Sequence, residues 1–371
     1  MSFKINVRPS GHEFEVLGDE TILAAALRTG VGLPYGCKNG ACGTCKATAV
    51  AGRWHQGVHS AGALSAAEAA AGKLLVCCSK PLSDVVIEAR ELSGFGDIPI
   101  RKMPCRVAKI ERPTDDVAIV SLQLPANERL QYRAGQYLEF ILKDNVRRSY
   151  SIATAPHADQ QIALHVRHMP GGRFTDSLFG GAGPNVKERD ILRFEGPLGT
   201  FFLREENAQP IVLLASGTGF APIKAIAEHI FHQRSLRPGE VEERAGQSQS
   251  PPPALRLYWG CRARRDLYLH ELAQRWAEEQ PDFSYVPVLS DALAEDGWSG
   301  RTGLVHRAVM ADLPDLSGHQ VYACGVPIMV DSARRDFVQQ CGLPEERFYA
   351  DAFTSQADLI GAGGDEDVVK S

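Results

Sequence analysis

The feature that most constrains this chain is a group of cysteines in its first quarter. Five of the nine cysteines lie between Cys37 and Cys78, and three of them, Cys37, Cys42 and Cys45, are spaced by four and by two residues in a glycine-rich stretch. An odd number of cysteines, in a chain that shows no apolar leader, argues against a framework of disulfides. The group therefore predicts a metal or redox site.

The spacing of these thiolates resembles that of plant-type [2Fe–2S] ferredoxins, in which a distant fourth cysteine completes the ligand set. Glycines let the loop wrap closely, with amide groups able to hydrogen-bond to sulfur. The residues leave Cys77 and Cys78 open as the fourth ligand. Only one of the two can point at the cluster, because neighbours in an extended segment face opposite ways. The ferredoxin pattern, in which three residues separate the ligand from a proline, selects Cys77. A structural zinc site is the alternative, although it would require paired C-x2-C knuckles.

Changes of pattern along the 371 residues predict three domains. Phe3, Ile5 and Val7 alternate with polar residues, short β-runs with glycine and proline turns fill the middle, and apolar strands alternate with helices after Gln209. These patterns predict an α+β domain, then an antiparallel β-barrel, then an α/β domain with a parallel sheet. The predicted ranges are 1–94 for the first domain (a β-grasp fold, by the ferredoxin resemblance), 95–103 for a linker, 104–205 for the barrel, 206–358 for the α/β domain with a mobile insertion at 234–253, and 359–371 for a flexible tail.

A predicted barrel strand carries Arg148, Tyr150 and Ser151, which resemble the R-x-Y-S motif of the ferredoxin–NADP reductase superfamily. A guanidinium offers a fork of donors to phosphate oxygens. The resemblance implies that Arg148 binds an FAD phosphate, that Tyr150 stacks on the flavin ring and that Ser151 approaches the reactive N5. An arginine and a tyrosine that alternate on a strand are also common as surface and packing residues.

Two later segments extend this resemblance. The strand with His165, Val166 and Arg167 corresponds to one whose backbone lies along the flavin in the superfamily. A glycine-rich helix start follows, and it would offer amide groups and a positive dipole to the FAD pyrophosphate. Thr175 is predicted there as a ligand and as the helix N-cap. The helix-start residues implied to bind FAD are Gly171, Gly172, Arg173, Phe174 and Thr175.

The turn Gly217–Gly219 follows an apolar strand, and carboxyl ends of parallel strands are where such sheets bind ligands. It lacks the G-x-G-x-x-G fingerprint and the lysine of a phosphate-binding loop. It resembles the G-T-G-x-A-P turn of the same superfamily, in which the threonine, here Thr218, approaches the nicotinamide. Two later strand ends complete the predicted nucleotide site, the second with the superfamily's C-G-x-P motif; their residues are Gly260, Arg262, Cys324, Gly325 and Pro327.

Near the carboxyl terminus, Phe353 resembles the aromatic residue that covers the second face of the flavin, and an ordinary core role is equally open. Cys324 is also open to two interpretations, as a small packing residue or as a neighbour of the transferred hydride. The resemblance implies that hydride transfer takes place near Ser151, Thr218 and Cys324, with Phe353 over the ring.

The sequence carries few residues that distinguish NADH from NADPH. Arg262, Arg264 and Arg265 would suit the 2′-phosphate of NADPH, whereas Asp266 and Glu271 would suit the free ribose hydroxyl of NADH. Superfamily members with an amino-terminal ferredoxin mostly use NADH. NADH is therefore predicted, with NADPH as the alternative.

The order of ferredoxin, flavin barrel and nicotinamide domain resembles the ferredoxin-fused reductases, above all CDP-6-deoxy-Δ3,4-glucoseen reductases. The resemblance implies a NAD(P)H-dependent oxidoreductase in which FAD links a two-electron donor to a one-electron cluster that serves a partner protein. The predicted partner is a deoxysugar dehydrase or, alternatively, the di-iron or Rieske component of a mono- or dioxygenase. A non-catalytic electron carrier with an inactive nicotinamide site is the third hypothesis.

Composition argues against other classes. The 40 basic and 45 acidic residues nearly balance, whereas a nucleic-acid-binding protein usually carries a strongly basic face. A spanning helix needs about 18 consecutive apolar residues, and the sequence has no such run. A cytoplasmic protein that binds neither nucleic acid nor membrane is therefore predicted.

Overall fold

A computed structural model describes residues 2–92, 97–158, 161–181, 185–236, 253–354 and 366–370. The chain divides into two compact units, one of residues 1–99 with 351–371 and one of residues 100–350. Residues 93–96 of the predicted linker and 237–252 of the predicted insertion lie outside the described residues. Within the described ranges, no helix is long and apolar enough to cross a membrane.

The amino-terminal unit is a mixed sheet with two short helices. Its central strands pair in the order β3, β6, β1 and β2, with β1 antiparallel to β2 and parallel to β6, while β4 and β5 pair with β3. Ile5 and Val7 of β1 are fully buried, because alternate side chains of a strand share one face. The elements are β1 (Ser2–Arg8), β2 (His12–Leu17), α1 (Ile22–Thr29), β3 (Lys46–Gln56), α2 (Ala66–Ala70), β4 (Lys73–Leu75), β5 (Ser79–Pro81) and β6 (Val85–Glu88).

Polar side chains cap the amino-terminal ends of both helices. The Thr21 hydroxyl accepts a hydrogen bond from the Ala24 N–H, which fixes the start of α1. Ser65 and Glu68 form a reciprocal capping box at α2. Each such cap satisfies amide groups that the first turn of a helix leaves without partners.

The middle of the chain is a six-stranded antiparallel sheet that closes on itself. The order is β10, β9, β12, β7, β8, β11. The Ala153 N–H donates to Ala163 O at 2.8 Å and Ile152 bridges Leu164, which joins the two outer strands into a barrel. Inward-facing apolar side chains fill the barrel. Its elements are β7 (Arg101–Thr114), β8 (Val117–Gln123), β9 (Tyr137–Ile141), β10 (Arg147–Ser151), β11 (Gln161–Arg167), α3 (Thr175–Phe179) and β12 (Ile191–Leu198).

A six-stranded parallel sheet follows in the order β16, β15, β14, β13, β17, β18. All six residues of β17 are buried, as expected for a strand covered on both faces. The predicted division near residue 205 falls between the barrel and this sheet. The elements are β13 (Ile211–Ser216), α4 (Phe220–Ser235), β14 (Leu255–Cys261), α5 (His270–Glu279), β15 (Phe283–Leu289), β16 (Arg301–Thr302), α6 (Val305–Asp312), β17 (Gln320–Gly325), α7 (Pro327–Gln340) and β18 (Phe348–Ala352).

One further strand, β19 (Glu366–Lys370), lies in the region predicted as a flexible tail. It pairs antiparallel with β3, from Glu366 opposite Gln56 to Lys370 opposite Gly52. Extended backbone therefore replaces the predicted flexible tail at these five residues. Two adjacent valines favour that conformation, whereas the charged residues around them dominate the sequence pattern. Residues 355–365 and 371 lie outside the described residues.

Candidate functional site

The cysteine-rich loop after α1 carries three thiols, and the turn after β4 carries a fourth; the four form two pairs. The Cys37 and Cys42 thiols are hydrogen-bonded to each other, and the Cys45 thiol is hydrogen-bonded to that of Cys77. In the described ranges, no three His, Cys, Asp or Glu side chains are grouped closely enough to hold one metal ion. Two thiol pairs suit a binuclear cluster, with two cysteines for each iron, better than one tetrahedral zinc ion. These residues therefore fit a [2Fe–2S] cluster.

Two glycines allow the backbone of this loop to turn and to pack closely against neighbouring carbonyl groups. Gly40 has φ +79°, and a Cβ there would lie 2.8 Å from Val58 O. Gly43 has φ +73°, and a Cβ would lie 3.0 Å from Ala63 O. A larger residue at either position would strain the backbone and press against a carbonyl group.

Hydrogen bonds in the loop favour anionic sulfur at Cys37. Its bond with the Cys42 thiol, aided by the amide groups of Asn39, Cys42 and Ala41, lowers the pKa of Cys37 to about 7 despite burial. The same thiol–thiol bond, together with burial, raises the pKa of Cys42. Thiolate is the form of cysteine that binds metal, so donors around the sulfur prepare the loop for a cluster.

Cys77 and Cys78 lie in a turn between β4 and β5, so the expectation of an extended segment is wrong. The Cys78 N–H donates to Leu75 O at 3.1 Å and closes the turn. The chain bends here because β4 and β5 pair with opposite ends of β3. The Cys77 side chain is buried against Cys45, whereas Cys78 is half-buried. This arrangement supports Cys77 as the fourth ligand.

Tyr150 and Phe174 bring the two predicted flavin segments together. Tyr150 lies on β10, which pairs with β9. Its ring centroid is 5.2 Å from that of Phe174 and 5.9 Å from that of Phe140. Burial raises the pKa of Tyr150, which keeps its phenol neutral. The R-x-Y-S strand and the glycine-rich helix start therefore pack against each other. Phe174, predicted to bind FAD, is buried in the barrel core, with 2% exposed.

The Thr175 hydroxyl stabilises the loop that precedes α3 and does not cap that helix, so the predicted N-cap role is wrong. Phe174 occupies the N-cap position, and Thr175 is already helical. Its hydroxyl donates to Met169 O at 2.8 Å and accepts from Met169 N–H at 3.2 Å, because side chains of a helix point back toward the preceding turn. A Cβ on Gly172 would lie 2.4 Å from this hydroxyl.

The other predicted flavin ligands have partners of their own. Arg148 donates to Arg147 O at 2.7 Å, and Arg173 pairs with Asp144 at 3.6 Å. The Gly171 N–H donates to the Asp176 carboxylate at 3.1 Å. Ser151 and Val166 are buried in the barrel. Their contacts with FAD stay predictions.

Gly219 and Gly325 allow two turns to pack closely at the carboxyl edge of the parallel sheet. A Cβ on Gly219 would lie 2.1 Å from Cys324 O, and one on Gly325, which has φ +145°, would lie 2.0 Å from Ser216 Oγ. The backbone N–H that follows Gly325 donates to the same Ser216 hydroxyl at 3.0 Å. The G-T-G and C-G-x-P motifs, distant in sequence, are thus brought together with Thr218 and Cys324 buried between them.

Arg167 connects the barrel to this nicotinamide turn. A Cβ on Gly217 would lie only 3.0 Å from Arg167 Nη1. Arg167 also donates to the Asp116 carboxylate at 2.9 Å, and the Trp259 indole donates to Gly217 O at 3.0 Å. The strand predicted to lie along the flavin therefore meets the turn predicted to hold the nicotinamide.

A second contact, between the barrel and the segment that follows β14, is buried. His165 Nδ1 and Tyr268 Oη are 2.7 Å apart, with ring planes at 88°. Burial, and to a lesser extent the nearby Lys224 ammonium, lowers the pKa of His165 to about 3. The imidazole is therefore neutral at ordinary pH, and it provides a hydrogen-bonding group without charge.

This neutral histidine gives a pH prediction. Because the His165 pKa falls from 6.5 to about 3 on folding, the unfolded chain binds more protons between these values. Stability from this group is complete above pH 6.5 and is lost as pH falls toward 3. Between pH 6.5 and 4.5, the unfolding free energy of the wild type should decrease by about 2 kcal/mol more than that of His165→Gln. Urea unfolding at each pH, followed by tryptophan fluorescence, measures the difference.

Tyr268→Phe is the matched control for this prediction. It removes the hydrogen bond but keeps the buried imidazole, so it should lower stability by about 1–3 kcal/mol at every pH while retaining the wild-type pH dependence. Equal pH dependence in the wild type and His165→Gln would contradict the interpretation.

The loop after β14 bears on nucleotide choice. Asp266 accepts from the Ala263 N–H at 3.1 Å, so this carboxylate already closes its own turn. Arg264 donates to Asp296 O at 3.1 Å. The Asp291 N–H donates to Arg262 O at 2.9 Å, which brings the backbone of Asp291 beside that of Arg262. Sequence reasoning missed Asp291, although its position two residues after the end of β15 was an available signal.

Three other predicted residues have distinct positions. A Cβ on Gly260 would lie 2.7 Å from Val305 Cβ, so the helix α6 packs directly on this glycine. Pro327 is the first residue of α7. Phe353 follows β18 and is half-buried. It belongs to the same compact unit as residues 1–99, and its position over the flavin stays a prediction.

Sequence reasoning also missed Tyr268, Asp116 and Gln56. Each hydrogen-bonds to a motif residue or its neighbour, but none lies within a recognised motif. For Gln56, the available signal was a polar side chain at the end of a strand whose alternate residues face the core.

The chain combines a thiol-lined loop, an antiparallel barrel and a parallel sheet with a glycine-rich turn. This combination is that of an electron-transfer oxidoreductase. Three family models match the chain in the same order: a 2Fe-2S iron-sulfur cluster binding domain over residues 5–82, an oxidoreductase FAD-binding domain over 104–203 and an oxidoreductase NAD-binding domain over 213–335. The chain belongs to the family of ferredoxin-fused, FAD-dependent NAD(P)H reductases, and it transfers electrons from NAD(P)H.

Relatives with similar sequences cover nearly the whole chain. The CDP-6-deoxy-L-threo-D-glycero-4-hexulose-3-dehydrase reductase of Yersinia pseudotuberculosis is 40% identical over 353 residues, 95% of this chain and 99% of the relative. A terephthalate 1,2-dioxygenase reductase component of Comamonas is 31% identical, over 96% of this chain and 98% of the relative. Among solved structures, a cytochrome P450 reductase of Amycolatopsis is 32% identical with a TM-score of 0.72, over 95% of this chain and 99% of that one.

Proposed function

We propose that this reductase takes electrons from NADH and supplies them, through a cluster at Cys37, Cys42, Cys45 and Cys77, to a dehydrase that deoxygenates a nucleotide-linked sugar in the cytoplasm. The observation that carries the electron path is Arg167 of the barrel against Gly217 of the nicotinamide turn. This contact supports the proposal that the bound flavin and nicotinamide meet here. The sugar-linked partner rests on the greater likeness to the hexulose-dehydrase reductase.

When bound, FAD accepts a hydride from NADH and releases electrons singly, which is the step that a [2Fe–2S] cluster requires. The chain's own residues supply position and electrostatics. Tyr150 provides an aromatic face for the isoalloxazine, with the buried Phe174 packed behind it. The packed turns at Gly219 and Gly325 fix the approach of the nicotinamide. Neutral His165 adds no charge to this region near neutral pH.

An anaerobic titration of the cluster-containing protein with NADH, and separately with NADPH, tests this function. Visible spectra should show flavin bleaching with NADH first, and EPR should show a rhombic signal from the reduced cluster. If neither nucleotide reduces a protein that contains both cofactors, the reductase proposal fails and the carrier hypothesis replaces it.

The acceptor needs its own experiment. NADH oxidation should be stimulated by a purified sugar-nucleotide 3-dehydrase with its substrate and not by the terminal component of an aromatic-ring dioxygenase. The reverse result would favour the second candidate function, an oxygenase reductase, for which the likeness to the terephthalate dioxygenase component is the supporting observation.

A further inference from the structure

Helix α4 connects the two halves of the proposed hydride-transfer site. It begins at Phe220, directly after the Gly217–Gly219 turn. It also packs on the barrel, where a Cβ on Gly135 would lie 3.2 Å from Ile226 Cδ1. Because a helix moves as a stiff unit, the position of α4 against the barrel decides where the nicotinamide turn lies relative to β10, which ends at Ser151.

Lys224 makes a polar contact from α4 to the backbone that follows β10. Its ammonium donates to Ala153 O at 3.2 Å, two residues after Ser151, and to the Glu228 carboxylate at 2.7 Å. The Lys224 side chain is 16% exposed, and Ala153 is fully buried. A largely buried ammonium is costly unless it is paired and hydrogen-bonded, so the carboxylate and the carbonyl oxygen hold it in place.

A stacked pair of imidazoles holds the other end of the same backbone segment. Lys224, Glu228 and His232 are spaced by four residues, so they share one face of α4. The His232 ring lies over that of His157, with centroids 3.8 Å apart and planes at 14°. The segment from Ala153 to His157 is therefore attached to α4 at both ends, and Lys224 is at the end that adjoins β10.

We propose that Lys224 is a positioning residue for hydride transfer, because it fixes the nicotinamide turn against β10. The reaction moves a hydride from C4 of NADH to N5 of the flavin. One C–H bond breaks, one N–H bond forms, and both electrons travel with the hydrogen nucleus, which leaves NAD+ and reduced flavin. Such a transfer depends steeply on the distance between the two atoms. The inference rests on the proposed meeting of flavin and nicotinamide near Arg167 and Gly217.

Anaerobic stopped-flow mixing of the full-length, FAD-containing protein with NADH tests this role. In Lys224→Met the limiting rate of flavin reduction should fall roughly tenfold, part of the ~100-fold that a misplacement of about 1 Å can cost. The apparent Kd for NADH should stay as in the wild type, because the lost contact acts on the approach to the transition state. The long-wavelength charge-transfer absorbance of reduced flavin with NAD+, which requires the two rings to overlap, should weaken as well.

Two variants separate this contact from general damage. Thr154→Val removes the hydroxyl that accepts from the Ala163 N–H at 2.7 Å. It loosens the same segment but leaves both bonds of Lys224, so it should keep the wild-type rate. Lys224→Met combined with Glu228→Gln also removes the carboxylate that the single change leaves without its ammonium partner. This double variant should be as slow as Lys224→Met, and it carries the test if the single variant loses FAD.

Several outcomes would overturn the inference. A wild-type rate in Lys224→Met, an equal loss in Thr154→Val, or recovery in the double variant would show that this contact does not set the approach of the nicotinamide. A slow rate with undiminished charge-transfer absorbance would show the same. Loss of FAD from both Lys224 variants would mean that the lysine supports flavin binding instead. If NADH fails to reduce the wild type with both cofactors present, the proposed function itself fails.

Discussion

Cys77→Ala is expected to lower the [2Fe–2S] content of the purified protein by more than about tenfold. Even groups that only support metal ligands typically change metal affinity by 10–100-fold, and a lost ligand should do at least as much. Flavin reduction by NADH should continue, because the barrel and the parallel sheet form a separate compact unit from the cysteine loop. Iron and sulfide analysis together with anaerobic stopped-flow spectroscopy would measure both effects. Transfer to a one-electron acceptor through the cluster should stop.

Cys78→Ala is the matched control for this change. It removes an adjacent thiol of the same turn, yet its cluster content should stay close to that of the wild type. The opposite result, loss of the cluster in Cys78→Ala but not in Cys77→Ala, would show that the ligand assignment is wrong.

Gly325→Ala is expected to slow flavin reduction by NADH about 100-fold, the size of effect that a misplacement of about 1 Å produces. The new methyl group would lie 2.0 Å from Ser216 Oγ, at a φ of +145° that only glycine adopts easily. The C-G turn would therefore have to move away from the G-T-G turn, and the nicotinamide would lose its fixed approach. Stopped-flow mixing with NADH under anaerobic conditions gives the rate.

A suitable control is Gly318→Ala in the same domain. Nothing lies within 4 Å of a Cβ at Gly318, so this variant should reduce its flavin at the wild-type rate. Normal FAD content in Gly325→Ala would show that the barrel remains intact. A wild-type rate in Gly325→Ala would mean that contact between the two turns does not shape the nicotinamide site.

The order of the three domains could be predicted because each has its own local pattern. Cysteine spacing, regularly spaced β-runs and strand–helix alternation are all visible in short windows of sequence. The G-T-G and C-G-x-P motifs could likewise be assigned to strand ends, where parallel sheets place their binding sites.

The sequence was least informative where long-range packing decides the conformation. The Cys77–Cys78 segment turns because β4 and β5 pair with opposite ends of β3, and that pairing depends on residues far away. The hydrogen bonds of His165 with Tyr268 and of Gln56 with Cys78 also join distant segments. No local pattern marks such partners, because a buried polar residue is recognisable only when the group that satisfies it is known.

Pro287 in β15 has a consequence for how this protein behaves in concentrated solution. On its inner side β15 pairs with β14, but on its outer side β16 reaches only Val288 and Leu289. In the described part of the chain, Phe283–Pro287 thus border the sheet with no strand beyond them. An open edge of this kind can recruit the edge of another molecule, yet proline lacks the N–H that an incoming strand would need. The parallel sheet therefore ends in a strand that resists edge-to-edge aggregation.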